Sequence, residues 1–144
     1  MSHTYNKILV AVDGSQESEH ALDQAISSAK INDAELLIVN IIDTRSFQNV
    51  ASFDDSMVDA IAEETRETLD KYLAQAKEAG LSNVSYLIEY GAPKQMIANG
   101  VPDEVNADLI VIGATGLNAV ERLLIGSVTE YVARHANVDV LVVR

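Results

Sequence analysis

The strongest constraint on this chain is a set of runs that are apolar at consecutive rather than alternate positions. They are Ile8-Leu-Val-Ala-Val12, Leu36-Leu-Ile-Val-Asn-Ile-Ile42, Leu109-Ile-Val-Ile112 and Val140-Leu-Val-Val143. A strand with one face in water alternates apolar and polar side chains. A strand apolar on both sides has to be covered on both, which is the condition of a parallel sheet held between helices. Val84-Ser-Tyr-Leu-Ile-Glu-Tyr90 is a fifth strand of more mixed polarity and reads as an edge.

Helical periodicity fills the gaps. Ala21, Leu22, Ala25, Ile26 and Ala29 recur at helical spacing within 16–30, after the start signals Asp13-Gly14-Ser15. Val58, Ile61, Ala62, Leu69, Tyr72, Leu73 and Ala76 form one stripe in 55–79, with Gly80 as a stop. A third helix is expected from Pro93, interrupted at Gly100-Val101-Pro102, and a fourth from Ser127 to Ala136 with Val128, Val132 and Ala136 inward. Strict alternation of strand and helix, joined by right-handed crossovers, points to an α/β fold with a doubly wound, open parallel sheet. No repeat, linker or composition shift divides residues 1–144, so a single domain is expected. The 43–54 segment, with Phe47 and Phe53, reads as a mobile loop.

In such a sheet, ligands sit beyond the carboxyl ends of the strands where strand order reverses. Three segments therefore matter: Asp13-Gly14-Ser15, Ile41-Ile42-Asp43, and Gly113-Ala-Thr-Gly116 followed after nine residues by Gly126-Ser127-Val128-Thr129. Gly113 and Gly116 permit positive φ and close approach of a ligand, and Gly126-Ser127 sets N–H groups and a hydroxyl at a helix N-terminus. That makes a phosphate cradle, or else a tight turn followed by a helix cap; spacing alone leaves both open. Asp13 suits a ribose hydroxyl or Mg²⁺, and equally a cap on the first helix. Val12 and Ile41 suit the two faces of an apolar base, or plain core. There is no Walker lysine, no Gly-x-Gly-x-x-Gly and no Gly-x-Ser-x-Gly elbow.

Charge bears on partners. Asp and Glu number 22 against 10 Lys and Arg, a net charge of −12. Such a surface repels phosphate backbones and anionic lipid, so neither nucleic acid nor membrane is an expected partner. With no cysteine, thiolate metal sites, disulfides and a cysteine nucleophile are excluded. The N-terminal stretch offers only Ile8–Val12 as an apolar run, too short for a signal peptide, and a cytoplasmic location is expected. Asp55, Asp59, Glu63 and Glu67, four apart and ending at Lys71, read as a solvated helix face. His3, His20 and His135 share no metal-ligand spacing. Arg45 and Arg122 are candidates for charge near a phosphate, or, as the favoured reading, ordinary surface arginines.

These motifs together resemble a known family. Gly113-x-x-Gly116, nine residues, then Gly126-Ser127 is similar to the ATP-binding motif of universal stress proteins. Arg122-Leu-Leu-Ile-Gly-Ser-Val-Thr-Glu130, Lys7-Ile-Leu-Val-Ala-Val-Asp-Gly-Ser15 and Ala107-Asp-Leu-Ile-Val-Ile-Gly113 extend the likeness over essentially the whole chain. The resemblance implies a Rossmann-like sheet of five parallel strands in the order 3-2-1-4-5 with helices on both faces, a homodimer, and ATP binding with a regulatory role in stress response. Carried over by position, Val12 and Ile41 would contact adenine, and Asp13 ribose or the metal. Gly113, Gly116, Gly126 and Ser127 would hold ribose and phosphates, with Thr129 adding a contact. Thr115, Leu117 and Asn118 stand where many members carry His, Arg or another basic residue. AMP and ADP are therefore candidates beside ATP, and Mg²⁺ is expected to carry much of the phosphate charge.

The dimer also follows from the strands. Val138 to Val143 is apolar on both faces, and as an edge it would be covered by the same strand of a second copy. The alternatives are a slow Mg²⁺-dependent ATPase or phosphotransferase, an interaction module with a degenerate nucleotide site, and a flavin carrier.

Overall fold

The computed structural model describes residues 4–47, 55–115 and 125–144. His3, Phe53, Gly116, Leu117, Asn118 and Arg122 lie outside the described residues, as does the 48–54 part of the expected loop. The strands are β1 (Lys7–Ala11), β2 (Glu35–Ile42), β3 (Val84–Tyr90), β4 (Leu109–Gly113) and β5 (Asp139–Val143). They form one parallel sheet in the order β3-β2-β1-β4-β5, as expected. Three of the four consecutive apolar runs occupy the central strands, where Ile8, Leu9, Val10, Leu36, Ile38, Val39, Ile110 and Val111 are completely buried; the fourth, Val140–Val143, lies in the edge strand β5.

Alternate residues of each strand feed two separate cores. Ile8, Val10, Leu36, Ile38, Leu109 and Val111 pack against α1 (Gln16–Asn32) and α2 (Asp55–Glu78). Leu9, Ala11, Leu37, Val39, Ile110 and Ile112 pack against two further helices. The first of these, α3, begins at Pro93–Gln95, widens through a π turn at Met96–Gly100 and continues through Val101–Val105. The second is α4 (Ser127–His135).

The helix starts and stops have local causes. Ser15 caps α1 by accepting the Ser18 N–H at 3.1 Å. α2 ends as Gly80 turns to φ +109, its N–H bonding the Lys77 carbonyl and the Leu81 N–H that of Ala76. The expected interruption at Gly100-Val101-Pro102 is corrected to a wide turn. The Val101 N–H reaches back five residues to the Met96 carbonyl, and Pro102, with no N–H to give, follows the wide turn as the helix continues. Within 43–54, Thr44–Phe47 forms a 3₁₀ turn.

Candidate functional site

Strand order reverses between β1 and β4. The crossover from β1 runs through α1 on one face toward β2; that from β4 runs through α4 on the other toward β5. A cleft of about 190 Å³ opens at the carboxyl ends of the two strands. Ala11, Val12 and Ile41 line it from the β1 and β2 ends, Ile112 and Gly113 from β4, and Pro93, Ile97 and Val128 from α3 and α4. Its polar side chains are Asp13, Ser18, Thr115 and Thr129.

The mouth is built by the turn after β1. Gly14 holds φ +84, open to glycine at little cost, and this lets the chain double back. Asp13 is exposed rather than buried at a strand end, because β1 stops two residues earlier. Its Oδ1 accepts the Ser15 N–H at 2.9 Å, and its own N–H donates to Ser18 Oγ at 3.3 Å. Ser18 Oγ in turn donates to the Ser15 carbonyl at 3.0 Å. The carboxylate thus anchors the start of α1 through one oxygen while lining the cleft.

Gly113 answers to a different demand from the one expected. Its φ is not positive; a Cβ there would stand 3.0 Å from the Glu17 carbonyl oxygen. Glycine is required so that β4 can end against the first turn of α1. Thr129 is buried, and its hydroxyl donates to the Gly113 carbonyl at 2.7 Å, fastening α4 to the same strand end. The Ala114 N–H donates to the Val143 carbonyl at 2.7 Å, and the Gly126 N–H to the Ala114 carbonyl at 2.7 Å. Gly126 is therefore the N-cap of α4 with its own N–H already used. Ser127 becomes the first helical residue, exposed, with its side chain bordering a separate depression beside Lys94 and Arg134 instead of the cleft. The N–H groups of Ser127, Val128 and Thr129 meet no acceptor among the described residues, as expected at a helix N-terminus.

Of the residues singled out in sequence, Val12, Asp13, Ile41, Gly113 and Thr129 converge on the cleft. Gly126 and Ser127 are not among the residues that line the cleft; they immediately precede Val128 and Thr129, which line it from α4. Arg45 is committed elsewhere: its guanidinium clasps Asp43 through two bonds of 3.0 Å and holds that carboxyl below the usual range. Asp59, Glu63 and Glu67 are exposed, as read; the Asp55 side chain lies outside the described residues. Among the described residues no group of three His, Asp or Glu side chains could hold a metal.

Ser18, Pro93, Ile97 and Val128 were missed as cleft residues. Pro93 had a signal: a helix that follows a strand starts at the carboxyl end of the sheet, so its first turn borders the crevice. Ile97 lies four residues on, on the same side.

Residues 4–144 match the Universal stress protein family. The chain belongs to that family. A protein of Staphylococcus aureus (strain USA300) named as a universal stress protein is 46% identical over 98% of this chain and 85% of its own length. Among solved structures, the universal stress protein UspA from Lactobacillus plantarum superposes with a TM-score of 0.84 at 29% identity, covering 99% of this chain and 100% of that one. A universal stress protein in complex with cAMP gives 0.71 at 30% identity, covering 99% and 98%. The likeness to these universal stress proteins covers nearly the whole chain. No helix among the described residues is long and apolar enough to cross a membrane.

Proposed function

We propose that this universal stress protein is a cytoplasmic adenine-nucleotide-binding regulatory protein, acting in stress response as one domain per chain and as a homodimer. The observation that carries the reading is the composition of the cleft. Val12, Ile41, Pro93, Ile97 and Val128 line it with apolar side chains, and its hydrogen-bonding side chains, Asp13, Ser18, Thr115 and Thr129, come from the segments after β1 and β4 and the first turns of α1 and α4. A flat base suits the first part and a ribose phosphate the second. A relative solved with cAMP supports an adenine nucleotide as the ligand class.

Val12 and Ile41 contact the base and Asp13 the ribose or Mg²⁺. Gly113, Gly116, Gly126, Ser127 and Thr129 surround ribose and phosphates. The N–H groups of Ser127, Val128 and Thr129, which meet no acceptor among the described residues, supply the anion-binding end. Asp13 is the one titratable side chain among the cleft's described residues. Mg²⁺ fits such a site as an ion held by one carboxylate and the phosphates themselves. That favours ATP with Mg²⁺, with ADP and AMP as competitors. The described walls provide no lysine or second carboxylate for phosphoryl transfer, which favours binding over catalysis.

Titration calorimetry tests this. ATP is expected to saturate the protein with Mg²⁺ present, and chelating Mg²⁺ is expected to weaken ATP more than AMP. No saturation by ATP, ADP or AMP up to millimolar concentration overturns the reading.

Homodimerisation rests on the contrast between the sheet's two edges. After the exposed Asp139, β5 presents four apolar residues in a row, Val140, Leu141, Val142 and Val143, all half-buried, whereas β3 mixes in Ser85 and Glu89 along its length. The segment Val138 to Val143 pairs with its copy about a two-fold axis, which satisfies the strand's outer N–H and C=O groups. Sedimentation as a monomer at micromolar concentration overturns this part alone.

A further inference from the structure

We propose that Asn40, which is outside the lining of the cleft, is a positioning residue for nucleotide binding: its side-chain amide ends the β1–β2 ladder one rung early and leaves the Ile41 N–H to the ligand. This rests on the nucleotide reading above. Asn40 is the one polar residue in the run Leu36 to Ile42, and asparagine is a poor strand former. Along β2 the side chains alternate. Leu37 and Val39 enter the core under α3 and α4, and Leu36 and Ile38 the core under α1 and α2. Asn40 falls on the second side, where an apolar residue would extend the core. A residue that runs against strand packing points to a demand other than folding.

That demand lies where the ladder stops. The last backbone pair of β1 and β2 is Ala11 with Val39, and one more bond follows, from the Val12 N–H to the Val39 carbonyl at 2.9 Å. In a parallel ladder the next rung would take the Ile41 N–H to the Val12 carbonyl. Between these two residues that rung is not made. Asn40 Nδ2 donates to the Val12 carbonyl instead, at 2.9 Å. The main-chain groups of β2 point to its two neighbours by turns. The Glu35 N–H and the Val39 carbonyl bond on the β1 side, and the Leu36 N–H and the Ile42 carbonyl on the β3 side. Ile41 shares the parity of Glu35 and Val39, so its N–H points past the end of β1, on a residue that lines the cleft. It meets no acceptor among the described residues. A half-buried N–H left open costs stability, and an acceptor atom of a bound nucleotide removes that cost.

Amide exchange read by NMR and ATP titrations test this on the wild-type protein and on Asn40 variants, with thermal melts run alongside to verify folding. In the free wild-type protein the Ile41 amide is expected to exchange faster than those of Leu37 and Val39, which are paired with β1, and to slow when ATP with Mg²⁺ is added. Asn40→Ala uncovers the Val12 carbonyl and lets the Ile41 N–H close the ladder on it. ATP is then expected to bind about tenfold more weakly, with the Ile41 amide already slow in the free protein. Asn40→His keeps an N–H donor on its ring and is expected to restore both wild-type readings. A role in stability alone would lower the melting temperature of Asn40→Ala and leave affinity and exchange as in wild type. Unchanged ATP affinity in folded Asn40→Ala overturns the proposal and leaves the nucleotide reading standing. So does an Ile41 amide that is already protected in the free wild-type protein, a result that needs no variant. Wild-type protein that binds no ATP, ADP or AMP overturns both.

Discussion

The two faces of the sheet are built to different standards. On one, α1 and α2 are long and regular, and they close over the strands with Leu22, Leu69 and Val10 completely buried. Tyr72 ties them together by donating to Glu19 at 3.0 Å, and Gln75 by donating to Asp23 at 2.8 Å. On the other, α4 has 9 residues and α3 is broken in phase by a π turn, and the cleft lies between them and the strand ends. A close-packed layer leaves no room for a ligand, so the fold assigns stability to one face and the opening to the other.

Several substitutions can break or sharpen that contrast. The largest effect is expected from Leu69→Ala, which empties a fully buried position on the closed face. It should cost about 2–5 kcal/mol in denaturant titration. Nucleotide affinity of the folded fraction should be unchanged; a parallel loss of affinity would show that the faces are not independent. Gly113→Ala comes next, because it strikes the seam where β4 meets α1. The methyl group meets the Glu17 carbonyl, and a cost of about 1–3 kcal/mol is expected. Here both stability and nucleotide binding should fall together.

Asp13→Asn separates the two roles of one side chain. The amide oxygen can still accept the Ser15 N–H, so unfolding midpoints should move by less than about 0.5 kcal/mol. Affinity for Mg²⁺–ATP should drop about tenfold as the negative charge is lost. An unchanged affinity would reduce Asp13 to a turn residue.

Tyr72→Phe is the mildest, at about 1 kcal/mol for one hydrogen bond. It also has a signature in pH. Burial, and then the bond to Glu19, raise the Tyr72 pKa above the ordinary tyrosine value of 10. Above pH 10 the unfolded chain releases a proton that the folded one retains, so the contribution of Tyr72 is complete below pH 10 and fades as pH rises further. Alkaline denaturation should therefore be shallower in Tyr72→Phe than in wild type; curves of equal slope would show that the hydroxyl adds nothing.

The closed face was also the more legible one. Consecutive apolar residues mark covered strands whatever the loops do, and Ala21, Leu22, Ala25, Ile26 and Ala29 are all buried as the helical spacing demands. The open face depends on phase, which composition does not carry. Gly100 and Pro102 signal a break by their types; that a wide turn absorbs them follows only from which carbonyl the Val101 N–H finds. Ser127 was read correctly as a helix start, yet Gly126 is the cap, and that shift of one position moves the hydroxyl from the cleft to the outer surface. Arg45 looked available until its neighbour two residues back, Asp43, proved to hold it. Turn geometry decided each case.

One short relay of peptides has a mechanical consequence. Val143 accepts from the Ala114 N–H, and Ala114 accepts from the Gly126 N–H, each at 2.7 Å. The one residue Ala114, through the two peptide groups that meet at its Cα, thus gauges the distance from the sheet's outer strand to the start of α4. Each peptide group is planar and rigid, so the spacing between the two bonds is set by the backbone angles of Ala114 alone. The tolerance of the cleft is therefore referenced to β5: a strand displaced by one residue would leave α4 without its origin, and the register of an edge becomes the ruler by which the binding end is measured.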